Sequence, residues 1–100
     1  MMNKVFVLGS VNMDMVMQAE RMPLEGETIS GTGFLLNAGG KGANQAVAVR
    51  KSGGSLKFCA GVGDDVFGEQ LVNTLREYEV DTENVRTIAG TNSGLAQITV

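Results

Sequence analysis

Three glycines surround a single lysine in the segment 39–46, which reads Gly-Gly-Lys-Gly-Ala-Asn-Gln-Ala. Glycine costs roughly 0.5–1 kcal/mol relative to alanine in regular structure, so this cluster indicates an unusual backbone that can approach a ligand closely. The segment runs into a predicted helix over 43–51, and the first N–H groups of a helix have no partners within it. Asn44 lies in the first turn, where its amide could orient a hydroxyl group. The pattern indicates a site for a small polar molecule; a turn that only connects a strand to a helix is the alternative.

Two familiar nucleotide-binding motifs do not match the glycines of this chain. The phosphate-binding P-loop requires serine or threonine after its Gly-Lys pair, but Gly42 follows Lys41. The dinucleotide-binding fingerprint requires its third glycine at the position that Val66 occupies. The sequence therefore predicts neither kind of nucleotide site in this region.

Composition excludes several classes of function. The 100 residues suit one small domain or part of a larger one. A net charge of −3 offers no basic face for nucleic acid, and no apolar run approaches the roughly 20 residues that cross a bilayer. The absence of histidine and the single cysteine, Cys59, exclude a serine–histidine triad, an internal disulfide and the usual zinc sites. A lone thiol fits a reducing cytoplasm, and we expect no metal site in this chain and no membrane or nucleic-acid partner.

The elements that would position these residues begin with a short apolar run over 5–8, typical of a strand buried on both faces of a parallel sheet. Asn12 and Asp14 follow soon after its end. Ligands of open α/β sheets bind at the carboxyl ends of the strands, so both are candidate binding residues. The alternatives are a solvated carboxylate for Asp14 and a surface lysine on a mobile loop for Lys41.

Alternating residues over 13–18 predict a strand with two different faces, and a second extended piece is predicted over 27–36 after a turn at 23–26. Together they resemble a strand pair set apart from the buried sheet, which could act as a flap. Three methionines lie on one face of the first strand: Met13, Met15 and Met17. Such a row is more often core than contact surface, although exposed methionines would suit a partner.

The rest of the chain predicts strands over 56–60, 85–88 and 95–100 and a helix over 66–78. Asp65 is expected to cap that helix, and we interpret Asp64 and Asp65 as capping rather than catalytic residues. The alternation of strands and helices is the α/β order. The last apolar run stops at Val100 without a turn, so we expect the N-terminal portion of a longer polypeptide.

In four segments the chain resembles the PfkB carbohydrate kinase family: 9–14 (G-S-x-N-x-D), 23–28 (P-x-x-G-E-T), 39–46 and 61–68 (G-x-G-D-D-x-x-G). The likeness covers essentially the whole chain and corresponds to the N-terminal third of the family's proteins. Gly53 and Gly63 fall at the downstream glycine positions of the family signature in 39–46. The form of that signature is similar to the ribokinase branch, because many fructokinases and ketodeoxygluconate kinases carry Ala-Pro where Lys41 and Gly42 stand.

The resemblance implies a ribokinase-like α/β fold: a mostly parallel sheet flanked by helices, with a small β-strand lid over approximately 13–36 and 95–100, present here as an N-terminal fragment. It implies that the intact protein phosphorylates D-ribose to ribose 5-phosphate with ATP. The implied substrate-binding residues are Asn12, Asp14, Gly40, Lys41 and Asn44, and Gly39 and Gly40 form the implied hinge of the lid.

The same resemblance implies ATP, Mg²⁺ and K⁺ as cofactors and a homodimer formed through the lid strands. The catalytic base, the nucleotide site and the ion sites are expected beyond Val100, so we expect residues 1–100 alone to be inactive. Three alternatives remain open at this point. They are another PfkB kinase acting on deoxyribose, a hexose or a nucleoside, a non-catalytic sugar-binding or dimerising module, and an unstable fragment without function.

Overall fold

Six strands and two helices make up residues 4–100, the part of the chain that the computed structural model describes. The strands are β1 (Lys4–Leu8), β2 (Asn12–Gln18), β3 (Gly33–Gly39), β4 (Ser55–Gly63), β5 (Val85–Ile88) and β6 (Gly94–Thr99), and the helices are α1 (Lys41–Lys51) and α2 (Val66–Glu77). The strands form two three-stranded sheets, a main sheet of order β1-β4-β5 and a side sheet of order β3-β2-β6. Within residues 4–100, neither helix is long and apolar enough to span a membrane.

The main sheet is parallel and carries its apolar core on one face. Val7 lies opposite Phe58 in the pairing of β1 with β4, and both are buried with the apolar side chains of α1 and α2. Phe6 and Leu8 point to the other face and are 67% and 75% exposed. The expectation that β1 is buried on both faces is therefore wrong for residues 4–100, because both helices pack on the same side of the sheet. An unbroken apolar run does not reveal which of its faces is covered.

The side sheet is built around β2, which pairs antiparallel with β3 and parallel with β6. The face of β2 that carries the methionines is buried at one end and exposed at the other. Met13 is buried in the core, while Met17 is 41% exposed. The second strand of the predicted pair is β3, which begins at Gly33 rather than at residue 27 and runs on to Gly39. The reason is the length of β2, whose last residue, Gln18, pairs with Gly33 and accepts a final hydrogen bond from the N–H of Thr32 at 2.7 Å.

The loop between β2 and β3 contains the predicted turn. The N–H of Glu27 donates to the carbonyl of Leu24 at 2.9 Å, and the Glu27 carboxylate accepts from the N–H of Leu24 at 2.9 Å. Arg21 forms an ion pair with the same carboxylate, and its hydrogen bonds lower the pKa of Glu27, together with the bond from Leu24. These contacts close the loop on itself at the exposed end of the side sheet.

Helix α1 begins two residues before the predicted start because its first turn packs on the link between β1 and β2. A β-carbon at Gly42 would lie 2.5 Å from the carbonyl carbon of Gly9, so the two backbones touch. The N–H of Ala43 donates to the carbonyl of Ser10 at 3.0 Å. Helix α2 is capped as predicted, because Oδ1 of Asp65 accepts from the N–H of Gly68 at 2.8 Å. The start of α1 is thereby tied to the β1–β2 link, and the start of α2 is closed by its own cap.

Candidate functional site

Asn12 and Asp14 form a polar pair on one face of β2. The two residues lie two positions apart in the strand, and Nδ2 of Asn12 donates to Oδ1 of Asp14 at 2.8 Å. Both side chains are half-buried. Three of their four neighbours across the sheet are small, with Gly39 and Gly94 opposite Asn12 and Ala96 opposite Asp14, and the fourth is Asn37, opposite Asp14.

The backbone at Gly39 runs directly beside this pair. A β-carbon at residue 39 would lie 2.6 Å from Oδ2 of Asp14, so only glycine allows the present position of the carboxylate. Gly40 has φ 101 and ψ 138, a conformation that side chains rarely adopt, and a β-carbon there would lie 2.5 Å from the carbonyl oxygen of Ser10. The glycine cluster detected in the sequence thus brings the end of β3 against both Asp14 and the β1–β2 link.

Lys41 opens α1 immediately after these glycines. No side chain caps this helix within residues 4–100, and its first turn carries no acidic residue. The N-terminus of a helix bears a partial positive charge, to which the Lys41 ammonium adds. This end of α1 therefore favours oxygen-rich ligands over cations. A phosphate would be repelled by the Asp14 carboxylate nearby, whereas the hydroxyl groups of a neutral polyol would not.

Asn44 is joined to the glycine segment through its backbone, because its N–H donates to the carbonyl of Gly40 at 2.9 Å. It is exposed and lines a cleft of about 270 Å³ between α1 and α2. The same cleft includes Asn37 at the end of β3, which pairs with Asp14 across the sheet. Asn44 and Asn37 therefore line one cleft, and Asn37 is the residue of β3 opposite Asp14.

Sequence reasoning missed a set of hydrogen bonds around Ser93. Ser93 donates from its N–H to Oδ2 of Asp65 at 2.8 Å and from its hydroxyl to Oδ1 at 2.7 Å. The hydroxyl also accepts from the N–H of Gly63 at 2.9 Å. The hydrogen bonds from Ser93, followed by that from Gly68, lower the pKa of Asp65. The polar run that contains Ser93 predicts a turn, and no local signal links it to a residue so distant in sequence.

No three His, Cys, Asp or Glu side chains within residues 4–100 come together in a group that could hold a metal. The helix start nearest to the polar pair lies beside a carboxylate, which disfavours phosphate binding there. The arrangement suits hydrogen bonding to a neutral polar molecule instead.

Comparison with known proteins adds to this geometry. A family model described as pfkB family carbohydrate kinase matches residues 2–100. The chain is 46% identical to a ribokinase of Lactococcus lactis, over 99% of this chain and 33% of the relative. It is 38% identical to a deoxyribokinase of Salmonella typhi, over 96% of this chain and 31% of the relative. The chain spans about a third of the length of the curated relatives it matches.

Solved structures share the fold of this chain. A structure of Arabidopsis thaliana ribokinase complexed with ribose and ATP superposes with a TM-score of 0.90 and 35% identity, over 99% of this chain and 32% of the other. A ribokinase from Cryptococcus neoformans in complex with ADP gives a TM-score of 0.83 at 38% identity. The predicted ribokinase-like α/β fold is thereby confirmed.

Proposed function

The chain belongs to the pfkB family of carbohydrate kinases, and on this premise we propose that the full-length protein phosphorylates D-ribose at its 5-hydroxyl with ATP. In this proposal residues 1–100 supply the sugar-binding part, and the side sheet is the lid. The observation that carries it is the Asn12–Asp14 pair beside the backbone of Gly39 and Gly40. A cytoplasmic location is part of the proposal and is supported by the free thiol of Cys59, which a reducing compartment preserves.

Asp14 is the proposed acceptor for the sugar hydroxyls. An ionised carboxylate only accepts hydrogen bonds, and those it forms with hydroxyl groups are short and strong. Oδ1 of Asp14 already accepts from Asn12, which fixes the carboxylate and leaves Oδ2 beside the backbone of Gly39. Asn12 keeps its own carbonyl oxygen as a second acceptor. The pair thereby offers acceptors in a fixed orientation to adjacent hydroxyl groups.

Donors come from the start of α1 in this proposal. The N–H of Gly40 and the ammonium of Lys41 would donate to sugar oxygens, and Asn44 would contribute its amide. Gly39 and Gly40 would act as the hinge through which the side sheet closes over the sugar, since glycine absorbs large changes of φ and ψ. Closure would exclude water from the hydrogen bonds that hold the sugar.

Phosphoryl transfer needs a positioned hydroxyl, a proton acceptor and charge stabilisation at the phosphates. The described residues fit only the first of these three roles. We expect ATP, Mg²⁺, K⁺ and the catalytic base to be held by residues other than those described, so the isolated chain should bind sugar without turning it over. ATP supplies the phosphoryl group in the intact protein.

A second candidate substrate is 2-deoxyribose, because a deoxyribokinase is among the relatives of this chain at 38% identity. A site built to hydrogen-bond the 2-hydroxyl rejects the deoxy sugar strongly, because its buried polar groups lose a partner. Comparing ribose, 2-deoxyribose, fructose and adenosine as acceptors therefore separates ribose kinase, deoxyribose kinase and other members of the family. Equal turnover of ribose and 2-deoxyribose would contradict the ribose assignment.

The proposal is tested by ribose-dependent ADP production, measured on residues 1–100 and on the full-length protein. We expect turnover from the longer protein and none from the chain alone. If neither protein produces ADP with any acceptor but calorimetry detects ribose binding, the result would favour a non-catalytic sugar-binding module. Turnover by the chain alone would mean that its own carboxylates include the base.

We further propose that the protein forms a homodimer through the side sheet. Apolar side chains on this sheet are exposed on both faces, with Leu35 60% exposed on the face of Asp14 and Phe34 58% exposed on the opposite face. Sedimentation velocity on the full-length protein tests this. Leu35→Glu should shift the protein to monomers, whereas Val66→Glu, at an exposed position on α2, should leave the dimer intact. A monomeric parent protein would contradict the proposal.

A further inference from the structure

The loop between β5 and β6 connects the main sheet to the side sheet and is fixed at two points to the start of α2. The N–H of Gly90 donates to Oδ2 of Asp64 at 2.8 Å, and the N–H of Asp64 donates to the carbonyl of Thr91 at 3.1 Å. Two residues further on, Ser93 binds both oxygens of Asp65. The connection therefore reaches the side sheet in a defined position.

Ser93 is the anchor of this loop. Its side chain is 5% exposed and is the only polar side chain buried within residues 4–100. Its hydroxyl donates to Asp65 and accepts from the N–H of Gly63, so both of its roles in hydrogen bonding are used. A buried polar group that loses its partner carries a large penalty, so these contacts hold Ser93 in one place.

The next residue after this anchor lies against the proposed sugar site. Gly94 is the first residue of β6 and pairs with Asn12 in the parallel register of β2 and β6. A β-carbon at residue 94 would lie 3.2 Å from Cβ of Asn12, so the two strands approach closely at this point. Fixing Ser93 consequently fixes Gly94, the neighbour of Asn12 on one side. The neighbour of Asn12 on the other side is Gly39.

We propose that Asp65 and Ser93 are positioning residues for the sugar site: their hydrogen bonds set the register of β6 on β2 and thereby hold Asn12 and Asp14 in place. Neither residue touches the sugar. The inference rests on the proposed function for its effect on sugar binding. The anchoring of β6 itself stands on the geometry alone and can be measured without any ligand.

The two oxygens of Asp65 allow its roles to be separated. Oδ1 accepts from the N–H of Gly68, which caps α2, and from the hydroxyl of Ser93, whereas Oδ2 accepts from the N–H of Ser93. Asparagine is as good a helix cap as aspartate. In Asp65→Asn the amide oxygen retains the cap, but an NH₂ group replaces Oδ2 and faces the donor of Ser93. The variant should loosen the anchor and leave α2 capped.

The test uses the full-length protein with Asp65→Asn and with Ser93→Ala, each compared with a matched surface change. Asp81→Asn is the control for the first, since Asp81 accepts only the exposed N–H of Glu83 at 2.9 Å. Ser52→Ala is the control for the second, since the Ser52 hydroxyl makes one exposed bond within α1. Ribose Kd by calorimetry, kcat and the KM values for ribose and ATP are measured for each protein.

We expect the ribose Kd and KM to rise about ten-fold in both test variants, with the KM for ATP and both controls within about two-fold of the parent. Hydrogen exchange should accelerate in β6 and remain unchanged in α2 for Asp65→Asn. An unchanged ribose Kd in both test variants would overturn the proposal, as would equal losses in kcat and in both KM values.

The exchange measurement also separates this inference from the proposed function. A parent protein that binds none of the four acceptors would refute the sugar kinase and, with it, the role of the anchor in sugar binding. Faster exchange of β6 in Asp65→Asn would then still support the anchor itself. Unchanged exchange of β6 would overturn the anchor whatever the protein binds.

Discussion

Oδ2 of Asp14 occupies the position next to Gly39 that a side chain would need: a β-carbon at residue 39 would lie 2.6 Å from it. The glycine and the carboxylate are on adjacent strands and share one face of the side sheet. The relationship explains why a glycine stands at the end of a regular strand, where its backbone angles do not require one. It also makes residue 39 a sensitive point for testing the site.

Gly39→Ala should displace the Asp14 carboxylate and weaken ribose binding by about ten-fold or more, because a misplaced acceptor loses its hydrogen bonds. Gly33→Ala is the matched control at the other end of β3. Its β-carbon would meet Oε1 of Gln18 at 2.7 Å, the far end of an exposed and flexible side chain that can move away. Calorimetry with ribose on both full-length variants compares their affinities. Equal affinities of Gly39→Ala and Gly33→Ala for ribose would refute the prediction.

Asp14→Ala should lower ribose affinity by about ten-fold or more, since the sugar hydroxyls lose their charged acceptor and Asn12 loses its partner. Asp14→Asn should fall between the parent and the alanine variant, because an amide keeps one acceptor oxygen. Asp81→Ala, which removes an exposed carboxylate far from the polar pair in sequence, serves as the control. The ribose dissociation constants of the parent and of these three variants test the prediction. An unchanged ribose affinity in Asp14→Ala would show that this residue is not part of the site.

Gly40→Ala should destabilise the protein more than Gly53→Ala, although both glycines have positive φ. At Gly53, with φ 82, a β-carbon would meet nothing within 4 Å, so only the left-handed conformation is penalised, by about 1–2 kcal/mol. At Gly40 the β-carbon would also lie 2.5 Å from the carbonyl oxygen of Ser10, which adds roughly 1–3 kcal/mol of overpacking. Urea unfolding of both variants measures the difference, and equal losses would contradict the steric account.

The contribution of Asp65 to stability should depend on pH. Hydrogen bonds from Ser93 lower its pKa below the ordinary value of 3.8, so its stabilising effect is complete above that value and disappears as the pH falls through the lowered pKa. The gap in Tm between the parent and Asp65→Asn should therefore narrow from about pH 5 to about pH 2. Thermal unfolding monitored by circular dichroism gives the gap at each pH. A gap of constant size would show that the carboxylate has the same pKa in the folded and unfolded chains.

Local signals in the sequence were sufficient for much of this molecule. The glycine cluster predicted the unusual backbone at Gly40, and the Asp65 cap predicted the start of α2. Both features are decided by residues within one helical turn of each other. The strand Val85–Ile88 was predicted with the bounds that the structure gives it.

Features that depend on partners distant in the chain could not be predicted from the sequence. The start of β3 is set by where β2 ends, and the exposure of Phe6 is set by which face the helices cover. The bond between Asp65 and Ser93 joins residues far apart in the chain, and a serine in a polar turn carries no mark of its eventual burial. Such contacts are decided by packing rather than by local propensity.

The parallel pairing of β2 with β6 has a consequence for how the chain acquires its structure. The side sheet cannot be completed until Gly94, the β6 partner of Asn12, has been synthesised about eighty residues later. The hairpin of β2 and β3 can form early, but its open edge and apolar faces then remain unprotected while the ribosome adds the rest. Completion of the side sheet should therefore be among the last folding events of this region, and the nascent chain should need a chaperone most between the emergence of β3 and that of β6.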